Sequence, residues 1–110
     1  MSLQTIIDSK LNVLNNKDSD WVTFICDHIP QIKENANIVA IDDVVRDRYI
    51  YKFDHFLRDN NCNINIIWIA KLINRVNDYD DFTINNIIYI PSYNHIQQLY
   101  RIYKTSINLK

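Results

Sequence analysis

The sequence predicts an α+β domain in which two short strands enclose a helical hairpin, with further helices before and after. Three observations predict it. Two β-branched runs, Asn37-Ile38-Val39-Ala40-Ile41 and Ile87-Ile88-Tyr89-Ile90, are closed by Asp42-Asp43 and by Pro91. Between the runs and on both flanks, apolar residues recur at helical spacing. With 110 residues, 47% of them hydrophobic and 23% charged, the chain can fill one core and is too apolar for disorder. The expected organisation is one domain over 1–110: an N-terminal helical arm at 1–36, a βααβ core with a two-stranded antiparallel sheet at 37–92, and a C-terminal helix at 93–110.

In chain order, Ser2 can cap a first helix whose stripe is Leu3, Ile6, Ile7, Leu11 and Leu14. Asp18 or Ser19 can cap a second, carrying Trp21, Phe24, Ile25, Ile29 and Ile32, with Pro30 kinking or ending it near Ile29. After the first strand, Asp42 or Asp43 caps a third helix with Val45, Tyr49, Phe53, Phe56 and Leu57 on one face. Asn60-Asn61-Cys62-Asn63 is a turn. The fourth helix, from Ile64 to about Val76, is apolar nearly all round, which makes it the central buried element, with Trp68 inside it. The polar stretch from Asn77 to Asn86 is a loop in which Phe82 and Ile84 plug the open end of the core. Asn94 and Gln97 form a capping box for the last helix, whose face is Ile96, Leu99, Tyr100 and Tyr103.

Composition narrows the function. The formal charge is −1, and Lys and Arg are scattered instead of forming the basic stripe that phosphate binding requires, so nucleic acid is not an expected partner. No apolar run approaches the roughly 18–20 residues that span a bilayer, so no membrane is expected either. The start, Met1-Ser2-Leu3-Gln4-Thr5, has no basic-then-apolar signal pattern, and the expectation is a chain kept or assembled in a reducing cytoplasm with Cys26 and Cys62 as free thiols. There is no glycine, which excludes every glycine-dependent nucleotide motif. Positive-φ turns should then fall to Asn and Asp, the next most tolerant residues. The density of Ile, Asn, Lys and Tyr matches AT-rich codons, a bias frequent in phages and their low-GC hosts.

No catalytic constellation assembles. Cys26, Asp27 and His28 are too close in sequence to face one another on a helix, and the expectation is a core Cys26 beside a surface or boundary His28. Asp78, Asp80 and Asp81 lack the spacing, glycine and terminal Glu of a calcium loop. His55 and His95 have no partner at metal-ligand spacing, and Glu34 is the sole glutamate, so no carboxylate pair of the glycosidase kind is suggested. The expectation is a non-enzyme with no cofactor, no metal and no small-molecule substrate.

A docking role draws more support. Tyr93, Tyr100 and Tyr103 crowd the last helix with Arg101 among them, and Tyr and Arg are enriched at protein interfaces. Leu3, Ile6 and Ile7 present a second apolar stripe. Either set can pack internally or on a neighbour, and spacing alone does not choose.

Several fragments, taken in order, carry a family resemblance: Asp47-Arg48-Tyr49 after the first strand, Trp68-Ile69-Ala70-Lys71-Leu72-Ile73-Asn74, Asp80-Asp81-Phe82, and Ile87-Ile88-Tyr89-Ile90-Pro91-Ser92. From Asn37 to Ser92 the chain resembles a LysM-type βααβ unit, and in particular the version found in baseplate wedge proteins of contractile phage tails. The resemblance implies a virion structural protein, a wedge or tail adaptor that docks other phage tail proteins and sits in the tail baseplate after assembly in the host cytoplasm. The sequence departs from the pattern where Asn85-Asn86 replaces a glycine before the last strand, and where the Gly-Asp after the first strand and the loop proline are missing. LysM modules that hold peptidoglycan sugars use glycine-bearing loops at those places, so scaffolding is the first expectation. A peptidoglycan-binding module and a neck or portal-adjacent ring protein are the alternatives.

Overall fold

The computed structural model describes residues 19–77 and 81–108. Among them six α-helices and two strands follow one another: α1 (Ser19–Asp27), α2 (Ile29–Glu34), β1 (Asn37–Ala40), α3 (Asp43–Tyr49), α4 (Phe53–Asp59), α5 (Ile67–Asn74), β2 (Ile87–Ile90) and α6 (Tyr93–Asn108). Single 3₁₀ turns precede α5 at Ile64–Ile66 and precede β2 at Phe82–Ile84. The fold is therefore α+β, with the strands antiparallel in the register Asn37↔Ile90 to Ala40↔Ile87. The predicted first helix over Leu3 to Leu14 lies outside the described residues, as do Asp18, Asp78 and Asp80.

Local chemistry explains most of the boundaries. Pro30 ends the first helical pattern: the chain breaks at His28, and Pro30 occupies the first turn of α2, where its missing N–H costs nothing. Asp42 caps α3, its carboxylate accepting from the Val45 N–H at 2.9 Å. Asn63 and Asp81 cap the two 3₁₀ turns in the same way, at 2.8 Å from Asn65 N and 3.0 Å from Thr83 N. For α6 the cap is Ser92, whose Oγ accepts from the His95 N–H. The expected Asn94–Gln97 box is displaced because the helix starts one residue earlier, which puts Asn94 inside it.

The predicted third helix is two helices, so three helices stand between the strands and not two. Lys52 N–H donates to the Tyr49 carbonyl across Ile50 (φ −54°, ψ 126°) and Tyr51 (φ 57°), the geometry of a type II turn. Glycine or asparagine normally fills that third position; here it is a tyrosine. The gain is visible downstream. Phe53, Phe56 and Leu57 are buried while α3 buries no side chain fully, and its Tyr49 folds back to place its ring edge on Phe56 and its hydroxyl on Asp59. A continuous helix would hold residues 49 and 59 about 15 Å apart.

The expectation that Asn and Asp take the positive-φ positions holds for one of the three among the described residues: Asn61, against Tyr51 and Arg75. Asn61 and Arg75 end α4 and α5 in Schellman closures. Cys62 N reaches Leu57 O and Val76 N reaches Lys71 O, and both Cys62 and Val76 turn inward. Backbone closure and the burial of the following side chain outweigh the Cβ penalty at arginine.

One core joins every described segment. Trp21, Ile25 and Ile32 enter from α1 and α2, Phe56 and Leu57 from α4, Ile66, Ile69 and Ile73 from the centre, Phe82 from its turn, Ile88 from β2, and Ile96 and Leu99 from α6. Three expectations need correction. Trp68 is half-buried, because Ile67, Ile69, Ala70 and Ile73 define the inner face of α5 and turn it outward. Ile84 is 80% exposed, so Phe82 alone plugs the core. Cys26 is exposed, since Trp21 and Ile25 set the buried side of α1.

Candidate functional site

The two-stranded sheet has one face on the core and one in solvent. On the inner face Ile88 and Ile90 are buried and Val39 half-buried; on the outer face Ile38, Ala40 and Ile87 are exposed and Tyr89 half-buried. Antiparallel register pairs Ile38 with Tyr89 and Ala40 with Ile87, so these four side chains make one continuous apolar strip. Ile38 is 60% exposed. The Lys33 ammonium lies 5.2 Å from the centre of the Tyr89 ring, covering one end of the strip with a cation. Beside it, a cavity of about 430 Å³ opens between the end of α5 and β2, with Arg75, Ile84, Asn85 and Asn86 on its wall.

The two edges of this sheet differ. Ile41 N–H donates to Asn86 O at 2.9 Å, which fixes Ile41–Asn86, and by alternation Val39–Ile88 and Asn37–Ile90, as the pairs that exchange hydrogen bonds. The peptide groups of Tyr89 and Ile87 on β2, and of Ile38 and Ala40 on β1, then point away from the partner strand. On β2 that edge is occupied at Tyr89, while the outward peptide groups of Ile87 make no hydrogen bond among the described residues. Asn74 at the end of α5 accepts from Tyr89 N at 2.8 Å and donates to Tyr89 O at 2.7 Å, mimicking a neighbouring strand, and donates also to Ala70 O. On β1 no hydrogen bond to the Ile38 or Ala40 peptide groups forms among the described residues.

The residues singled out in the sequence distribute unevenly. Leu3, Ile6 and Ile7 lie outside the described residues. Tyr103 is buried, its ring 5.3 Å from Trp21 and 5.4 Å from Phe24; Tyr100 meets Trp21 edge-on at 5.2 Å; and Tyr93 is half-buried. The inner face of α6 thus grips α1 of the same chain. Arg101 and Ile102 face solvent on the other side. The structure does not bring Arg101 together with the β1–β2 strip into any one site on the basis of contact. Sequence reading missed the strip and its open edge, although the β-branched run at Asn37–Ile41, free of Lys and Pro, was the available signal.

The ionisable groups serve local structure. His28 Nδ1–H donates to Phe24 O at 2.7 Å and its ring stacks on Phe24. Its neighbour Cys26 is exposed, and no bond joins the two among the described residues. His95 is held below the ordinary histidine value by burial, and secondarily by His28. Burial pushes the Cys62 thiol up to about 11. Tyr49 is raised by its bond to Asp59. Among the described residues no three His, Cys, Asp or Glu side chains group as metal ligands, and no helix is long and apolar enough to cross a membrane. No family model, curated protein or solved structure matches the chain.

Proposed function

We propose that this chain is a virion structural protein, a baseplate wedge or tail adaptor subunit that docks neighbouring tail proteins and performs no catalysis. The observation that carries the reading is the joint between two of the fragments on which the LysM-like resemblance rests. The Trp68–Asn74 helix and the Ile87–Pro91 strand are locked together by Asn74, which satisfies both peptide groups of Tyr89. A residue that spends three hydrogen bonds on rigidity suits a scaffold. The exposed strip of Ile38, Ala40, Ile87 and Tyr89 supplies apolar surface for a partner. The subunit belongs to the tail baseplate and is assembled in the host cytoplasm.

Three measurements test this. Mass spectrometry of purified particles is expected to find the chain at a fixed stoichiometry, and deletion of its gene to give particles with defective tails in electron micrographs. Intact, infectious particles after deletion overturn the proposal. A pull-down on insoluble peptidoglycan is expected to leave the chain in solution, whereas retention there favours a glycan-binding module.

A further inference from the structure

We propose that the free edge of β1 pairs antiparallel with β1 of a second copy, across a two-fold axis, to give a four-stranded sheet in the order β2-β1-β1-β2. The inference goes beyond the docking role above and stands without it. A row of outward peptide groups at strand spacing is matched by another extended backbone, and Ile38 and Ala40 present such a row. Apart from its shortness, Asn-Ile-Val-Ala carries none of the devices that normally blunt an edge: no lysine, no proline, no inward charge.

Self-complementarity selects a second copy as the occupant. With the axis through Val39, Ile38 of one copy lies opposite Ala40 of the other, and the two exchange both hydrogen bonds. A large side chain then neighbours a small one on the outer face. Continuing the register to the still extended Asp42 sets it opposite Ala36, so the first acidic residue after β1 meets no carboxylate. A register shifted toward the C-terminus, with Asp42 opposite itself, brings like charges together. Asn74 supplies the remaining constraint. Because it fills the β2 edge at Tyr89, only β1 keeps two successive outward-facing residues open, which directs pairing to β1 and favours a closed pair over a fibre. Four residues a side make a small contact, so the pair is a concentration-dependent one.

Sedimentation velocity on the full chain, from about 5 to about 500 µM, reads the association directly. The weight-average mass is expected to climb from 13.2 kDa toward twice that value. Ile38→Pro removes an N–H that the intrachain sheet does not use, and is expected to weaken pairing about tenfold or more while leaving the circular dichroism spectrum unchanged. Should that variant fail to fold, Ala40→Lys puts a charge beside Ile38 of the partner on a solvent-facing position and is expected to weaken pairing likewise. Val39→Cys in a Cys26→Ser background is expected to form a disulfide-linked dimer on mild oxidation, since residues on the axis approach within disulfide range. A chain that stays monomeric throughout, or a dimer indifferent to Ile38→Pro and Ala40→Lys, overturns the proposal.

Discussion

Replacing Trp21 by alanine is expected to damage the fold more than any change at Trp68, although Trp68 occupies the most apolar helix of the sequence. Trp21 is 1% exposed and sits where α1 meets α6, against Phe24, Tyr100 and Tyr103. Truncating a large buried aromatic costs about 3–5 kcal/mol. Each ring pair adds about 0.5–1.5 kcal/mol, which pushes the value up. One effect opposes it: Trp21 Nε1 has no hydrogen-bond partner among the described residues, and a buried unpaired donor costs about 1–3 kcal/mol, which the substitution relieves. The two corrections roughly cancel, leaving about 3–5 kcal/mol for Trp21→Ala. Trp21→Phe sheds the unpaired N–H and keeps a ring, and is expected to cost about 1 kcal/mol. The half-buried Trp68 gives about 1–2 kcal/mol on truncation to alanine. Urea unfolding of the full chain, followed by far-ultraviolet circular dichroism, separates the three. Thermal melts give the same order, with Trp21→Ala lowering the midpoint by about 12 °C or more. The reasoning is refuted if Trp68→Ala costs as much as Trp21→Ala, or if Trp21→Phe is as damaging as Trp21→Ala.

Other consequences of the structure are as direct. Iodoacetamide at about pH 8 is expected to alkylate Cys26 rapidly in the native chain, and Cys62, buried with its thiol at about 11, only after denaturation; two equal rates overturn the placement. Asn74→Ala strips the Tyr89 peptide of both partners and is expected to cost about 1–3 kcal/mol in urea unfolding. Asn74→Asp should cost more, because a carboxylate then faces the Ala70 and Tyr89 carbonyl oxygens. His95 prefers its neutral form in the folded chain, with its value below the ordinary 6.5, so its contribution to stability is complete above about 6.5 and is lost as pH falls toward the lower folded value. Melting temperatures between about pH 7.5 and about pH 5 are expected to drop, and His95→Gln to flatten that drop; an unchanged slope in the variant counts against the assignment.

How far the fold was legible varies by element, for physical reasons. The strands could be read because β-branched runs ended at Asp42-Asp43 and Pro91, and α6 because Ile96, Leu99 and Tyr103 keep helical spacing onto one core. The break after Tyr49 could not. Val45, Tyr49, Phe53, Phe56 and Leu57 satisfy a single helical face, and the turn that divides them is built on a tyrosine where a glycine would have signalled it. An all-round apolar helix conceals which side is inner, so Trp68 looked central while the three aromatic partners of Trp21 were spread over two ends of the chain. Of the candidate docking residues, spacing gave Tyr100 and Tyr103 two readings. Contact with Trp21 selects the internal one for their rings. Nothing in the order of residues indicated that one edge of the sheet would be filled at Tyr89 by a side chain and the other left open.

That asymmetry traces to a single position. An amide at residue 74 offers a donor and an acceptor at the spacing of a strand's own peptide group, and α5 ends where that amide can reach Tyr89. A lysine or serine there would leave at least one Tyr89 group open, and β2 would then offer an edge as long as that of β1. A protein with two open edges can recruit copies without limit; one with a single open edge makes a finite contact of fixed direction. For a chain that presents exposed isoleucines on the same small sheet, this separates a defined partner surface from an aggregation hazard. Asn74 therefore contributes to the direction of assembly as well as to rigidity. Its replacement is expected to raise self-association beyond two chains even under conditions where the monomer remains folded, a change that sedimentation detects as species heavier than a dimer.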